Sequence, residues 1–424
     1  MSVIKNQVRV CVGQVAKPAG QLTFVKDGRR EYSVFVYAAA WLSDRDRFAI
    51  SPDLPLIQGH VTRRSHTPED SCFPFALADT IPDAWGKRVI VRAHARRRDK
   101  DPALPFLTPF DYLAAVDDLS RVGALRLQDE GGEFLRNSEQ NRTPPLIELE
   151  HLFAASRAVE EGTESLEDLA FLQGRGTSLG GLRPKCTILE EDGRLAIGKF
   201  PSIGDDRSVT RGEVLALTLA RRAGIVTAAA RIVMLDRVPV AVIRRFDRSD
   251  DGARIPYLSG ASLLQAQRHE DRSYTELADM LRSTSARPAE DVRELWRRLV
   301  FNLLITNVDD HLWNIGVLYA GEGLWRLAPA FDLNPFPEKL RESKTWLSES
   351  SGPITSLGQI LGEADYFGLT QSDAQGIVVE VANAVRDWRQ VATSAAVGFN
   401  EPELDAFKRA FEHPDAKAAQ ALTA

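Results

Sequence analysis

Acidic and amide side chains that could hold a cation and move a proton lie close together near position 310. The run Asn307-Val308-Asp309-Asp310-His311-Leu312-Trp313-Asn314 lies between an apolar segment and a strand-like one. Another acidic residue, Asp332, follows in the apolar turn 328–333. Burying a carboxylate among apolar segments is costly unless it binds a metal or a partner. We therefore expect the run to face a cleft.

The spacing of three of these residues favours phosphate chemistry. Asp309, Asn314 and Asp332 offer hard oxygen ligands, which suit Mg²⁺ when it also binds phosphates. An Asp, an Asn five residues later and a second Asp in an apolar turn is the order found in the catalytic and metal loops of kinases. A surface turn or helix N-cap rich in Asp and Asn is the alternative. The second acidic position favours the kinase interpretation.

A glycine-rich stretch at 174–185 contains Gly180 and Gly181 and leads into a strand. Glycines let backbone N–H groups approach phosphate oxygens closely. The stretch is not a Walker A loop, because no Gly-Lys-Ser or Gly-Lys-Thr closes it. Alone, it is also typical of a flexible surface loop.

Lys199 ends the next strand, and Glu213 lies in the helix that follows. A strand lysine paired with a helix glutamate is how kinases hold the α and β phosphates. Elsewhere, such a lysine would be a solvated strand end. Its place between the glycine-rich stretch and the helix predicts that it binds phosphate.

The elements that must position these residues change in type near residue 245. Short strands and a few helices precede this point, and helices dominate after about 255. The predicted elements ahead of it are strands near 8–13 and 32–37, a helix at 78–95, a hairpin at 186–200, a helix at 213–223 and strands at 231–235 and 238–243. This predicts an α+β, two-lobed plan with a strand-rich N-terminal lobe, an all-helical C-terminal lobe and a ligand cleft. Its expected domains are an N-terminal subdomain (1–140), a lobe carrying the glycine-rich loop (141–250) and a helical lobe with the catalytic and metal loops (251–424).

The composition of the chain limits the class of protein and the cellular compartment that we expect. The chain has 424 residues with 44% hydrophobic and 26% charged, as an ordinary globular protein does. Three scattered cysteines make a disulfide framework untenable and disfavour a zinc site, so we expect a cytoplasmic protein. The sequence shows no secretory signal or apolar run long enough to span a membrane. The net charge of −6 argues against a polyanion binder, although Arg96 to Arg98 belong to a basic run that is either a solvated helix end or a nucleic-acid contact.

On these residues together, the chain resembles the HipA family of Ser/Thr kinases, the toxin halves of bacterial toxin–antitoxin operons. Stretches that match in the family's order span about 75 to 335. They are Leu77–Gly86, Asp111–Leu113, Arg121–Leu125, Ser178–Gly181 with Pro184-Lys185, Gly198–Pro201, Arg245–Arg248, the Asp309 run and the Asp332 turn.

The resemblance implies Mg-ATP-dependent phosphoryl transfer. Asp309 would orient or deprotonate the acceptor hydroxyl, and His311 would shape its loop. Asn314 and Asp332 would hold Mg²⁺ against the phosphates, which Lys199 would neutralise.

Two further roles come from the same resemblance. The segment Arg244 to Phe246 would be the hinge that meets adenine through its backbone, although Arg244 stands where the family often has glutamate. Ser178 would be autophosphorylated, which would expel the glycine loop from the ATP site and switch the enzyme off. Trp313 stands where many members carry a lysine, so Lys185 or an arginine would have to supply that charge.

Three functions follow as expectations. The first is a Ser/Thr kinase that phosphorylates a host translation protein, in this family an aminoacyl-tRNA synthetase. The second is a catalytically weak partner of a helix-turn-helix antitoxin on operator DNA, favoured by Trp313 alone. The third is a small-molecule kinase, since the ATP site does not encode the acceptor.

Overall fold

The computed structural model describes residues 3–65, 67, 69–136, 148–173, 181–338 and 340–422. The chain forms two compact units. The first comprises Met1–Ile203, Asp247–Leu258 and Gly321–Gly323, and the second comprises Gly204–Phe246, Ser259–Ala320 and Leu324–Ala424.

The first unit combines strands with short helices. Its strands are β1 (Ile4–Val12), β2 (Lys17–Asp27), β3 (Arg30–Tyr37), β4 (His60–Arg64), β5 (Leu125–Gln128), β6 (Lys185–Leu189) and β7 (Leu195–Lys199). Its helices are α1 (Ala39–Leu42), α2 (Phe75–Ala78), α3 (Ala84–Lys100), α4 (Pro109–Ala115), α5 (Leu149–Glu161) and α6 (Leu166–Leu172). Strand β10 (Tyr257–Ser259) begins in this unit and ends in the next.

An antiparallel sheet in the order β4-β3-β2-β1-β5 forms the core of the first unit. Alternate residues of its central strands are apolar, so one face is buried. Leu22 and Phe24 of β2 are fully buried, and the Phe24 ring lies 5.8 Å from that of Phe73. The strands expected near 8–13 and 32–37 are thus β1 and β3.

Two other predictions for this unit have different outcomes. The hairpin expected at 186–200 is formed by β6 and β7, with Gly193 at φ 79° in its turn. The helix expected from Ala78 is wrong at its start, because α3 begins only at Ala84. Pro82 disfavours helix at the residue before it, and Asp83 caps α3 by accepting a 2.8 Å hydrogen bond from the Gly86 N–H.

The second unit is mainly helical. Its helices are α7 (Val209–Arg222), α8 (Gly260–Leu263), α9 (Tyr274–Thr284), α10 (Pro288–Leu304), α11 (Leu357–Gly362), α12 (Gln371–Arg386), α13 (Trp388–Ala392), α14 (Glu401–Phe411) and α15 (Pro414–Ala421). Its strands are β8 (Ala230–Leu235), β9 (Val238–Arg244), β11 (Gly316–Gly321), β12 (Leu324–Leu327), β13 (Trp346–Ser348) and β14 (Gly352–Pro353). Short 3-10 helices lie at Leu312–Asn314 and Ala364–Phe367.

Helix α10 supports the loop with the candidate catalytic residues. It starts with Pro288 at its first turn, where the missing N–H costs nothing, and carries Glu290 and Asp291 beside its positive end. Trp296 and Phe301 are fully buried. This buried helix gives the loop after it a fixed starting point.

The strands β10 to β14 are the exception to the all-helical prediction for 251–424. β11 and β12 are sheet neighbours joined through Gly321, Glu322 and Gly323, all at positive φ. The tight turn and the β-branched and aromatic residues Val317 and Trp325 favour strands locally. The strand-like stretch after Asn314 indicates β11 in the sequence, and the other strands are too short to leave a periodic signal.

Candidate active site

The loop after α10 has an uncommon backbone conformation and is held from behind. Thr306 has φ 54°, a region that non-glycine residues rarely occupy. Its hydroxyl donates a 2.9 Å hydrogen bond to the carbonyl of Ala410, and its own carbonyl accepts from the Phe336 N–H at 3.1 Å. The loop therefore leaves the helix in a direction fixed by contacts on both sides.

Asp310 is the internal anchor of this loop. It is 4% exposed, and its carboxylate accepts 2.7 Å hydrogen bonds from the Tyr274 hydroxyl and the Lys344 N–H. Its carbonyl accepts from the Thr345 hydroxyl at 2.7 Å. Burial raises the pKa of Asp310 to about 6, against the lowering effect of these donors. Asp310 thus ties the loop to the segment at 344–345, and its carboxylate is taken up by these internal hydrogen bonds rather than by a substrate hydroxyl.

Asp309, the neighbouring residue, has a different environment. About a third of its side chain (31%) is exposed, and one carboxylate oxygen forms an ion pair with the ammonium of Lys344. Its carbonyl accepts a 2.9 Å hydrogen bond from the Asn314 side-chain N–H. The Asp and the Asn five residues later are therefore brought together, as their spacing predicts.

The Asn314 amide has one end occupied and one end open. Its Nδ2 donates to Asp309, whereas its Oδ1 is buried and accepts no hydrogen bond from any described residue. A buried carbonyl oxygen without a donor is costly, and a hard cation is a ligand that would satisfy it. The residues present therefore fit Mg²⁺.

Asp332 lies at an equally unusual backbone position. Its φ is 53°, and its Oδ1 accepts a 3.2 Å hydrogen bond from the Asn334 side chain. The Asn334 N–H in turn donates to Asn307 Oδ1 at 3.3 Å, which links the Asp332 turn to the loop. Strained backbone held by such contacts is a frequent feature of functional sites.

His311 lies within the electrostatic influence of both carboxylates. Burial lowers the pKa of its imidazole, and the charges of Asp309 and Asp332 oppose that effect only in part. Its Nδ1 is buried without a hydrogen-bond partner among the described residues. A neutral imidazole between the two acidic positions fits the expected role of shaping the loop.

Trp313 carries no charge but has a cation beside it. Its ring makes an edge contact with His311 at 6.0 Å, and the Arg268 guanidinium lies 5.2 Å from its centroid. Such a contact stabilises the ring by about 0.5–1 kcal/mol at an exposed site.

The other expected residues of the second unit are Arg244, Phe246 and Glu213. Arg244 ends β9, where its N–H donates to the Ala229 carbonyl at 2.8 Å. The Phe246 ring lies 5.3 Å from that of Phe331, which directly precedes Asp332. Glu213 is buried in α7, at 2% exposure.

Lys199, Gly181 and Lys185 belong to the first unit. Lys199 ends β7 and is half-buried, and Gly181 has φ 105°. The Lys185 ammonium forms a 2.9 Å ion pair with Asp83, and both side chains are buried. Lys185 is thus neutralised inside this unit. Ser178 and Gly180 lie outside the described residues.

The basic run on α3 is occupied by local contacts. Arg92 and Arg96 pair with Glu164, at 2.8 and 3.7 Å. Arg97 donates to Gln173 at 3.1 Å, and the Arg98 guanidinium lies 3.9 Å from the Phe106 ring centroid. These contacts favour the solvated helix end over a nucleic-acid contact.

Two features are absent from the described residues. No helix among them has both the length and the apolar composition needed to cross a membrane. They also hold no cluster of three or more His, Cys, Asp or Glu side chains arranged for a metal.

The sequence did not point to Lys344 or Tyr274. Lys344 lies 35 residues after Asp309, and Tyr274 lies 36 residues before Asp310. No local spacing relates these positions. Only the residue types, a lysine near an acidic turn and a tyrosine opening a helix, could have suggested them.

Comparison with known proteins identifies the class. The chain aligns with the HipA protein in a solved Shewanella oneidensis MR-1 complex of HipA, HipB and operator DNA, with a TM-score of 0.70 at 16% identity. The alignment covers 98% of this chain and 96% of that one, so the fold is α+β and kinase-like, as the sequence predicts.

Family models then identify the family. The HipA-like C-terminal domain matches residues 177–389, and the HipA N-terminal domain matches residues 9–131. The chain belongs to the HipA family, and the resemblance read from the sequence is confirmed.

Two curated relatives come from Sinorhizobium fredii, and both are named as kinases. Y4mE is 26% identical over 322 residues, covering 70% of this chain and 71% of that protein. Y4dM is 25% identical over 332 residues, covering 75% and 74%.

Proposed function

We propose that this protein is a Mg-ATP-dependent Ser/Thr protein kinase that acts as the toxin of a toxin–antitoxin pair. One observation carries the proposal: Asp309 and Asn314 are hydrogen-bonded, and the buried Asn314 Oδ1 is left without a donor. A hard cation bound with phosphates would satisfy that oxygen.

The residues divide the work of phosphoryl transfer. Asp309 accepts the proton of the attacking hydroxyl, and the hydrogen bond from Asn314 fixes the backbone that carries it. Asn314 Oδ1 and the Asp332 carboxylate would hold the metal, which when bound neutralises phosphate charge. Asp310 keeps the loop rigid from inside, because three hydrogen bonds tie it to other segments.

Ser178 and Lys199 complete the proposal from the first unit. Lys199 would bind the α and β phosphates. Phosphorylation of Ser178 would add charge to the glycine-rich loop and end activity.

Partners are proposed from the solved relative. Its structure contains HipA with HipB and operator DNA, which supports a helix-turn-helix antitoxin and operator DNA as partners here. We propose a host aminoacyl-tRNA synthetase as the protein substrate, on the family resemblance alone.

A weakly catalytic partner of the antitoxin is the second candidate. The observation that favours it is Trp313, which places an indole beside Arg268 where a lysine would add positive charge. Retention of Asp309, Asn314 and Asp332 favours the kinase.

The test is phosphate transfer by purified protein incubated with Mg²⁺ and γ-labelled ATP. We expect labelling of the parent on Ser178, mapped by mass spectrometry. The Asp309→Asn variant should lose transfer, because an amide cannot accept the proton, and should still bind ATP. Asp405→Asn, an exposed position on α14, is the matched control.

The outcomes separate the candidates. Label on Ser178 in the parent and in Asp405→Asn, but not in Asp309→Asn, supports the kinase. Bound ATP without any label would move the weight to the antitoxin-and-DNA role. Equal loss of transfer and of ATP binding in Asp309→Asn would refute the role of Asp309.

A further inference from the structure

The side chain that contacts Asp309 comes from a distant part of the second unit. The Lys344 ammonium forms an ion pair with Asp309 Oδ1, although 53% of the lysine side chain and 31% of the aspartate side chain are exposed. Exposed ion pairs stabilise a fold by only about 0–1 kcal/mol. Stability alone therefore gives little reason for this lysine to lie on the candidate catalytic residue.

The backbone of Lys344 is fixed much more firmly than its tip. Its N–H donates to Asp310 Oδ1 at 2.7 Å, and the next residue, Thr345, donates its hydroxyl to the Asp310 carbonyl at 2.7 Å. Asp310 is itself held by Tyr274 and directly follows Asp309. The buried anchor thus places two neighbouring side chains, Asp309 and Lys344, on the same exposed side of the loop.

The charge at this point has a chemical use. Phosphoryl transfer spreads negative charge over the oxygens of the transferring group, and a fixed cation nearby stabilises it. The residue before Asn314 is the uncharged Trp313, and Lys185 is neutralised by Asp83 in the first unit. Among the described residues, Lys344 is the cation paired with Asp309.

We propose that Lys344 is a catalytic residue of the transfer step, an inference that rests on the proposed kinase function. In the free enzyme its ammonium holds the Asp309 carboxylate in place. During transfer it contacts an oxygen of the moving phosphoryl group and remains protonated.

The step balances without a proton from Lys344. The acceptor oxygen forms a bond to the γ-phosphorus, and the bond from that phosphorus to the β–γ bridging oxygen breaks. ADP leaves with the electron pair, and the hydroxyl proton passes to Asp309.

The experiment replaces the charge chemically. Lys344→Cys is assayed unmodified, after alkylation with 2-bromoethylamine, which restores an ammonium at nearly the same reach, and after alkylation with iodoacetamide, which does not. The native cysteines Cys11, Cys72 and Cys186 are all buried, so alkylation of the folded protein is directed to position 344. Lys408→Cys, an exposed lysine on α14, receives the same treatments as the control.

We expect kcat of unmodified Lys344→Cys to fall by about 10²–10³, the usual loss when one donor to transition-state charge is removed. KM for ATP and the melting temperature should stay near those of the parent. Aminoethylation should recover at least about a tenfold part of the loss, and carbamidomethylation should recover none. No Lys408→Cys sample should change.

Two results would overturn the inference. One is a kcat in unmodified Lys344→Cys equal to that of the parent. The other is a loss of kcat that neither reagent restores, or that both reagents restore to the same extent. Absence of transfer in the parent itself would refute the proposed function, and this inference with it. A parent that transfers phosphate and a Lys344→Cys variant that does not therefore separate failure of this inference from failure of the proposed kinase function.

Discussion

Replacing Asp310 by asparagine tests whether the anchor of the loop is a buried carboxyl with a raised pKa. The side chain keeps its size but can no longer ionise. One of its two partners, the Tyr274 hydroxyl or the Lys344 N–H, loses its acceptor. An unpaired buried donor costs about 1–3 kcal/mol at every pH.

The pH-dependent part follows from the pKa. Burial raises the pKa of Asp310 from 3.8 to about 6, so between these values the folded state binds more protons than the unfolded state. The resulting stability is present below about pH 4 and is lost as the pH rises through 6. Two pKa units correspond to about 3 kcal/mol. The free energy of unfolding of the parent, minus that of Asp310→Asn, should therefore fall by about 3 kcal/mol from about pH 4 to pH 7.

The assay is urea unfolding followed by tryptophan fluorescence at several pH values, with equal m-values required of both proteins. Asp405→Asn, on the exposed face of α14, gives the effect of removing one surface charge. A parent–variant difference that stays flat with pH would show that Asp310 does not titrate in this range. A difference that grows with pH would refute the reasoning outright, because the donors would then outweigh burial.

Three further predictions concern the metal, the packing of α7 and the glycine-rich loop. Asn314→Ala removes the buried amide oxygen, so the Mg²⁺ concentration for half-maximal transfer should rise by about tenfold or more. Asn314→Asp keeps an oxygen ligand and should bind Mg²⁺ more tightly than Asn314→Ala. Equal values for the two variants in a Mg²⁺ titration would count against a metal at this residue. Gly212→Ala would place a Cβ 2.7 Å from the Phe407 ring and should destabilise the protein by about 1–3 kcal/mol. Gly376→Ala on α12, where nothing lies within 4 Å of the added Cβ, should stabilise the protein by about 0.5–1 kcal/mol. Urea unfolding that showed the same sign for both changes would contradict the packing argument. Ser178→Ala should remain active through prolonged incubation with ATP while the parent loses activity; a variant that is inactive from the start would mean that Ser178 is not an off-switch.

Residue types and short spacings made much of this protein predictable. Asp309 and Asn314 are five residues apart, so one loop brings them together, and the structure joins them by a hydrogen bond. The β6–β7 hairpin followed from Asp192-Gly193, because that pair favours a tight turn wherever it occurs. Such features depend on a few neighbouring residues and need no knowledge of the rest of the chain.

Features that depend on distant contacts were not predictable. Asp310 looks like its neighbour in the sequence, yet it is buried and Asp309 is not. The difference arises from Tyr274 and Lys344, which reach it from 36 and 34 residues away. The start of α3 was missed for a local reason, since the apolar pattern continues through Pro82, whereas Pro82 and the Asp83 cap place the start of the helix at Ala84.

The support behind the loop also sets when it can form during synthesis. Thr306 bonds to Ala410, 104 residues later, and His413 contacts the carbonyl of Leu304 at 3.1 Å across 109 residues. A ribosome that has just added residues 305–314 has therefore made a loop whose rear contacts do not yet exist. The nascent chain acquires them only after about a hundred more residues have been added, at the 5–20 residues per second typical of translation. This late closure delays assembly of the loop until nearly the whole second unit has been made.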